Sequence, residues 1–546
     1  MSKHISADSS SPECFSQART WLDNCIRNHR SYQYHQPNSS LLPTRVICVG
    51  GESTEPYLYE TSPGEKGDWA ALSYCWGGVK TMTTCIDSLS ERKVGIALNE
   101  LAKTCRDAVL AARALSIPYV WIDSLCIIQD SLEDWEKEAA RMCYTYENAL
   151  ITFAAPNSPA ATSGLFLPTP QRRTVKIDTS IDGKEVSVYA RRELGVGTFS
   201  MHTHYDSQNS WGQEILATRG WTLQELALAP RILWFGAAEL GWSCWSSTAC
   251  ECDPEPKADR VENGSEDHFT LALRTPSSPD ATSIAAAQWQ KTWRKLVQDF
   301  TLRKLSFGTD RLPAMSGLAA KLENRVDGKY FAGLWESDMS AQLLWVSYIW
   351  YDDEADRPSL LKNGYAPSWS WASVAGPIQF ARDFQGPRFQ LIWNIVATEF
   401  RPRTLNPFGP GEGLVTIEGY TLPVRLVRGT LVWVAPPDEK GRVATVAFGD
   451  EEVVVMDPRL VTSDETVKEV TFLIAGMTMK RGTGASDVPS ICHGIVLESI
   501  AGETVFRRLG YAEPRLAVDT TLSAPDERKS WTFWKNLCIV KMTKIM

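Results

Sequence analysis

Between residues 45 and 235 short apolar runs alternate with longer segments of helical periodicity, and no other feature of the chain restricts its fold so strongly. Arg45-Val46-Ile47-Cys48-Val49 reads as a strand, and Ala70 to Cys75 as a second that ends at Trp76-Gly77-Gly78. Leu98, Leu101, Cys105, Ala108, Ala112 and Leu115 then recur at three and four residues, which predicts an amphipathic helix ended by Pro118. Tyr119-Val120-Trp121-Ile122 is wholly apolar and stops at Asp123, as a strand inside a parallel sheet does. Trp135, Ala139, Met142, Tyr146 and Ala149 keep helical spacing, with Asp130 as N-cap. Leu150 to Ala154 is the next strand, closed by Pro156. After a hairpin from Val175 to Tyr189, turning at Asp182-Gly183, a third helix starts near Trp221 and leads into the strand Arg231 to Phe235.

This order predicts an α/β fold: a mainly parallel open sheet with flanking helices. Ligands of such sheets bind beyond the carboxyl ends of the strands. Here those ends carry Trp76-Gly77-Gly78, Asp123 to Cys126 and Ala155-Pro156-Asn157.

The rest of the chain divides by texture. Residues 1–44 read as a helical appendage with one helix from Phe15 to Ile26, and 45–250 as the α/β domain. Residues 251–288, rich in Asp, Glu, Ser and Pro, read as a linker or loop. Residues 289–365 read as a helical segment. Short β-prone runs separated by Gly and Pro make 366–546 a β-rich C-terminal module, a sandwich or partly open barrel. The chain is rich in tryptophan, with 21 indoles to bury in seams or aromatic pockets.

With 56 Lys+Arg against 65 Asp+Glu, the net charge of −9 argues against nucleic acid or an anionic membrane as the main partner. The longest apolar stretch, Leu343 to Tyr351, is too short to span a bilayer. The start is polar and lacks the apolar core of a secretory signal. The 13 cysteines are odd in number and mostly embedded in apolar runs, which suits free thiols in a reducing, cytoplasmic setting.

Few residues suggest chemistry by themselves. Gly77-Gly78 follows a strand, but neither standard phosphate-loop spacing is present. Cys244, Cys250 and Cys252 lie near Glu251 and Asp253, and Cys25, His29 and His35 form a second loose set; neither has the spacing of a metal site, and no metal is expected. His202 and His204 sit on a polar loop and read as solvated. Cys126 follows the strand-end Asp123 and reads either as a nucleophile or as a buried thiol. Glu225 has two readings. Thr222-x-x-Glu225 fits a capping box, with Trp221 and Leu226 as its hydrophobic staple. A functional carboxylate at a helix start is also physically reasonable, because the helix dipole favours its ionised form there, although the local sequence favours the cap.

Three stretches together resemble the fungal heterokaryon-incompatibility (HET) domain. They are Ala71-Leu72-Ser73-Tyr74-Cys75-Trp76-Gly77, then Val120 to Gln129 with Met142 and Tyr146 downstream, and Arg219-Gly220-Trp221-Thr222-Leu223-Gln224-Glu225. The resemblance covers Trp69 to Leu226, and Pro367 to Ser373 is similar to a stretch that commonly follows the domain. Two positions depart from the family pattern: Ile128 replaces an Asn, and Tyr32 stands where an N-terminal Cys is common. The resemblance implies non-self recognition leading to regulated fungal cell death, through protein partners or self-association. It also implies a core similar to the Toll/interleukin-1-receptor (TIR) domain, within the flavodoxin-like class. Some TIR domains cleave NAD with a glutamate in a W-x-x-x-E context, and Trp221 to Glu225 has that spacing. On that implication Glu225 is the catalytic candidate and NAD its substrate, with no other cofactor. Ser73, Trp76, Gly77, Asp123, Cys126 and Trp221 would line the crevice.

Overall fold

The structure is a computed structural model that describes residues 4–29, 37–51, 53–167, 172, 174–181, 184–191, 215–258, 283–323, 325–347, 359–361, 365–380, 389–427, 430–434, 445–447, 453–455, 468–481, 487–500, 505–512 and 538–546. The chain divides into two compact units, residues 1–276 with 303–305, and residues 277–302 with 306–546. The segments expected as a helical stretch and a β-rich module thus fall in one unit, and the expected appendage belongs to the other.

Unit 1 opens with helix α1 (Pro12–Asn28). Ser11 accepts the Cys14 N–H, and Pro12 occupies the first turn, where its missing N–H costs nothing. The face formed by Cys14, Ala18, Trp21, Leu22 and Cys25 is buried. Trp21 lies 6.3 Å from Trp242, and its indole donates to the Pro254 carbonyl at 2.8 Å. α1 is therefore part of the domain core, not an appendage.

Among the described residues the sheet of unit 1 has nine strands. In chain order the strands of the unit are β1 (Arg45–Cys48), β2 (Tyr57–Glu60), β3 (Trp69–Ser73), β4 (Tyr119–Trp121), β5 (Ile151–Ala154), β6 (Thr174–Ile181), β7 (Lys184–Arg191), β8 (Arg231–Phe235), β9 (Leu240–Cys244), β10 (Ser247–Cys250) and β11 (Asp253–Ala258). β6 and β7 form a separate hairpin; the tip residues Asp182 and Gly183 lie outside the described residues. The others follow the order β11-β10-β9-β8-β5-β3-β4-β1-β2.

The centre is parallel, as expected: β3 pairs with β4 (Ala70 with Val120) and with β5 (Ala71 with Thr152), and β5 pairs with β8 (Phe153 with Leu233). All flanking pairings are antiparallel, so the sheet is mixed rather than mainly parallel. The reason is connection length. β8 to β11 follow one another through short turns, which can join only antiparallel neighbours, whereas parallel strands need a long crossover.

Among the described residues the other helices of the unit are α2 (Leu89–Val94), α3 (Lys103–Ala114), α4 (Asp123–Cys126), α5 (Leu132–Glu147) and α6 (Gly220–Leu228). α3 starts later than the periodicity predicts, because the Leu98 N–H is taken by the Glu55 carboxylate at 2.8 Å. Ser131, not Asp130, caps α5; Asp130 accepts instead from the Ile86 N–H at 2.9 Å. β3 is buried along its whole length, and Trp69, Ala70, Ala71, Val120, Trp121 and Phe153 share one core with the inner faces of α1, α3 and α5.

Unit 2 is organised around indoles. Trp293, Trp335, Trp345, Trp369 and Trp371 are fully buried. Trp293, from the helix Ser283–Thr301, and Trp371 both donate to the Gly333 carbonyl at 2.9 Å, and Trp345 donates to the Trp369 carbonyl at 2.9 Å. Gly333 has φ +100, and a Cβ there would stand 2.5 Å from the Trp371 indole nitrogen. The buried Arg508 guanidinium lies 4.0 Å above the Trp345 ring and donates to the Leu343 and Trp345 carbonyls.

The strands Gly411–Val427, Lys468–Arg481, Asp487–Ile500, Val505–Ala512 and Ile539–Ile545 pair in a closed ring. Tyr420 and Thr421 pair on both sides, with Ile474 and Leu473 on one and Val540 and Ile539 on the other, which closes the barrel. The segment expected as a linker starts with strand β11 and ends in the helix that begins at Ser283; residues 259–282 lie outside the described residues. Among the described residues no helix is long and apolar enough to cross a membrane.

Candidate functional site

Because β3, β4, β5 and β8 run parallel, their carboxyl ends lie on one side of the sheet. The last residue of β3 is Ser73, which is fully buried. Its hydroxyl donates to the Glu225 carboxylate at 2.5 Å, joining two residues 152 positions apart. Asp123 starts α4 directly after β4 and accepts from the Trp76 indole at 2.9 Å and from the Ser124 N–H at 2.7 Å. Tyr74 donates to Ser124 at 3.0 Å, and Tyr146 of α5 donates to the Leu72 carbonyl at 2.9 Å. Arg219 donates to the Tyr74 carbonyl, and its charge stands beside both Glu225 and Asp123.

The electrostatics follow from burial. Burial pushes the Glu225 carboxyl up to about 7, against the pull of the Ser73 hydrogen bond and the Arg219 charge; the neighbouring Asp123 adds to the rise. Asp123 is also raised by burial, opposed by Arg219 and by the Trp76 hydrogen bond. Burial disfavours the Arg219 charge, but the two carboxyl groups outweigh it and hold that pKa above the ordinary guanidinium value. The cluster thus sets two carboxyl groups with raised pKa values against one cation, an arrangement able to hold or release a proton near neutral pH.

Glu225 does not serve the cap expected of it. The helix begins at Gly220 with Arg219 as N-cap, whose side chain makes no capping hydrogen bond. Thr222 is therefore inside the first turn. Its hydroxyl lies 2.8 Å from the Leu216 and Arg219 carbonyls, to which it donates, and accepts from Arg303 at 3.2 Å. The capping box and its staple are absent because the helix starts three residues earlier than that motif requires. Thr222→Ala should leave these carbonyls short of a donor and cost about 1–2 kcal/mol. Melting temperature should fall, while the pH dependence attributable to Glu225 stays as in the wild type.

Residues 69–225 match the family model for the heterokaryon incompatibility protein (HET). They form a HET domain. No curated protein and no solved structure matches the chain.

Within the HET domain the expected crevice residues take different places. Ser73, Trp76, Asp123 and Glu225 are joined in the hydrogen-bonded pairs described above. Trp221 is half-buried and meets Trp135 of α5 edge-on, with ring centroids 6.4 Å apart, so it packs α6 against α5. The Cys126 thiol does not line an open crevice. It is 1% exposed, accepts the Ile122 N–H at 3.4 Å, and is pushed up to about 12 by burial, which keeps it protonated and a poor nucleophile. Arg219 and Tyr146 belong to the cluster but were not among the expected site residues. Both stand within the matched motifs, and only the fold shows that they face Glu225.

Gly77 has a steric role. Its φ is +75, and a Cβ would lie 2.3 Å from the Ala160 Cβ and 2.5 Å from its Cα. Gly77→Ala would combine left-handed strain with a clash against backbone that cannot swing away. We expect it to cost about 2–5 kcal/mol, seen as a lower melting temperature and faster proteolysis of unit 1.

Among the described residues two groups have ligand atoms within 4.8 Å of one another: Cys25, His29 and Cys244, and Glu239, Cys250 and Cys252. The sequence grouped Cys244 with Cys250 and Cys252, whereas the fold places it with Cys25 and His29. His35, His202 and His204 lie outside the described residues.

Proposed function

We propose that the protein serves a heterokaryon-incompatibility-type response, in which recognition of non-self leads to regulated death of the fungal cell. The HET match over residues 69–225 carries this reading. In it the HET domain signals by association with protein partners or with itself, from a cytoplasmic location.

One observation favours a second reading, cleavage of NAD by a TIR-like core. The Glu225 carboxylate is not used in a helix cap and lies instead at the strand ends with Ser73, Arg219 and Asp123. Loss of nicotinamide passes through an oxocarbenium-like ribosyl transition state, and an ionised carboxylate beside the ribose would stabilise that charge. Ser73 would orient the carboxylate, and Arg219 would favour its ionised form.

The test is to express wild type and Glu225→Gln in a fungal host and score cell death, and to assay the purified proteins for nicotinamide release. Death with no release in either protein supports signalling by association. Release that disappears with Glu225→Gln supports the enzyme. A wild-type protein that neither kills nor releases nicotinamide overturns both.

A further inference from the structure

Cys25 lies in the last turn of α1 and His29 is its C-cap, so their four-residue spacing puts them one above the other at the helix end. Cys244 is the last residue of β9, remote in sequence. The fold brings its sulfur to 3.4 Å from the His29 Nδ1, and all three ligand atoms lie within 4.8 Å of one another. Around a tetrahedral zinc ion, S and N ligands at about 2.3 and 2.0 Å stand roughly 3.5 Å apart. The observed separation already has that size.

We propose that Cys25, His29 and Cys244 form a zinc-binding site that ties α1 to the end of β9. Two sulfurs and an imidazole are a donor set suited to zinc, whereas Mg2+ and Ca2+ require oxygen. Three protein ligands leave one tetrahedral position for a fourth. The surroundings supply hydrogen bonds to the sulfurs: the Arg231 Nε donates to the Cys25 Sγ at 3.3 Å, and the Ser247 hydroxyl lies 3.4 Å from the Cys244 Sγ. N–H and O–H groups placed in this way orient thiolate ligands and offset their charge. Binding exchanges protons for the metal: the sulfurs coordinate as thiolates and give up whatever thiol protons they carry, while a neutral imidazole binds through Nδ1 and keeps its proton on Nε2.

The site differs in kind from the strand-end cluster, since it holds no carboxylate and sits where α1 meets the antiparallel flank of the sheet. It would lock the N-terminal helix to the HET-containing unit, with metal availability as the control.

The full chain, purified from zinc-supplemented medium and exchanged into metal-free buffer, should retain about one zinc per chain by elemental analysis. Cobalt substitution should give a near-ultraviolet thiolate-to-metal band. Cys25→Ser and Cys244→Ser should each lower zinc retention at least about tenfold and weaken that band. His29→Gln should do so with both thiols intact, and Cys85→Ser should do neither. Near-ultraviolet circular dichroism separates lost metal from lost fold. Three outcomes would overturn the proposal: a chain that keeps no zinc, zinc that persists in the Cys25 and Cys244 variants but leaves in Cys252→Ser, or a Cys25–Cys244 disulfide in the isolated protein.

Discussion

Glu225→Gln is expected to make the protein more stable at pH 8 while removing whatever function the carboxylate has. Below pH 4.5, the ordinary value, the carboxyl is protonated in both the folded and the unfolded chain. From there to about 7 the unfolded chain ionises and the buried residue does not, so rising pH favours unfolding step by step. Above about 7 the loss is complete, on the order of 3 kcal/mol. Glutamine matches the shape of the protonated acid and can still accept from Ser73, but it cannot ionise. The two proteins should therefore melt together at pH 4, and the variant should melt several degrees higher at pH 8. Equal melting at both pH values would show that Glu225 does not carry the burdened carboxyl described here. If the carboxylate stabilises a cationic transition state, the stabilised variant is also dead, because glutamine lacks the charge. Gain of stability with loss of activity marks a residue kept for its chemistry.

The parallel centre of the sheet was legible because buried strands are apolar on both faces. Tyr119 to Trp121 and Ile151 to Ala154 have no other comfortable place than a covered sheet. The antiparallel flank was hidden. β11 contains Pro254 and Pro256, which read as loop residues, yet it is the edge strand, where a missing N–H takes nothing from the ladder. β10 is four residues long and only half apolar. At the site, the strand-end rule points to Trp76 and Asp123, which a hydrogen bond of 2.9 Å joins. Of the two readings of Glu225 the capping box fails, because capping depends on which residue begins the helix, and Gly220 gives no sequence signal of that. Cys244 beside Cys25 and His29 was illegible for another reason: only the docking of α1 on β9 makes them neighbours.

Ending the chain after residue 365 is expected to leave its second half unfolded, although the sequence texture invites that cut. The Trp345 indole would lose the Trp369 carbonyl, its hydrogen-bond acceptor. Gly333 would lose Trp371, and the carbonyls of Leu343 and Trp345 would lose Arg508. Removing even one buried tryptophan costs about 3–5 kcal/mol, and this cut removes the fully buried Trp369 and Trp371 together with the closed barrel beyond them. Helices Ser283–Thr301 and Pro313–Leu322 would keep apolar faces with nothing to cover them, so proteolysis should strip residues 283–347 rapidly. A chain of residues 1–276 should behave differently, since it keeps the nine described strands of its sheet. Its weak point is local. Lys304 receives the Gly220 N–H at 2.9 Å and donates to the Thr218 carbonyl at 2.6 Å, and Arg303 donates to Thr222. Without residues 303–305 the turn before α6 loses these bonds, and the first cleavage in the fragment should fall near residues 215–220. Limited proteolysis read by mass spectrometry distinguishes the two fragments. A 1–365 chain that resists protease across residues 283–347 would show that this helical stretch folds without the β-rich part.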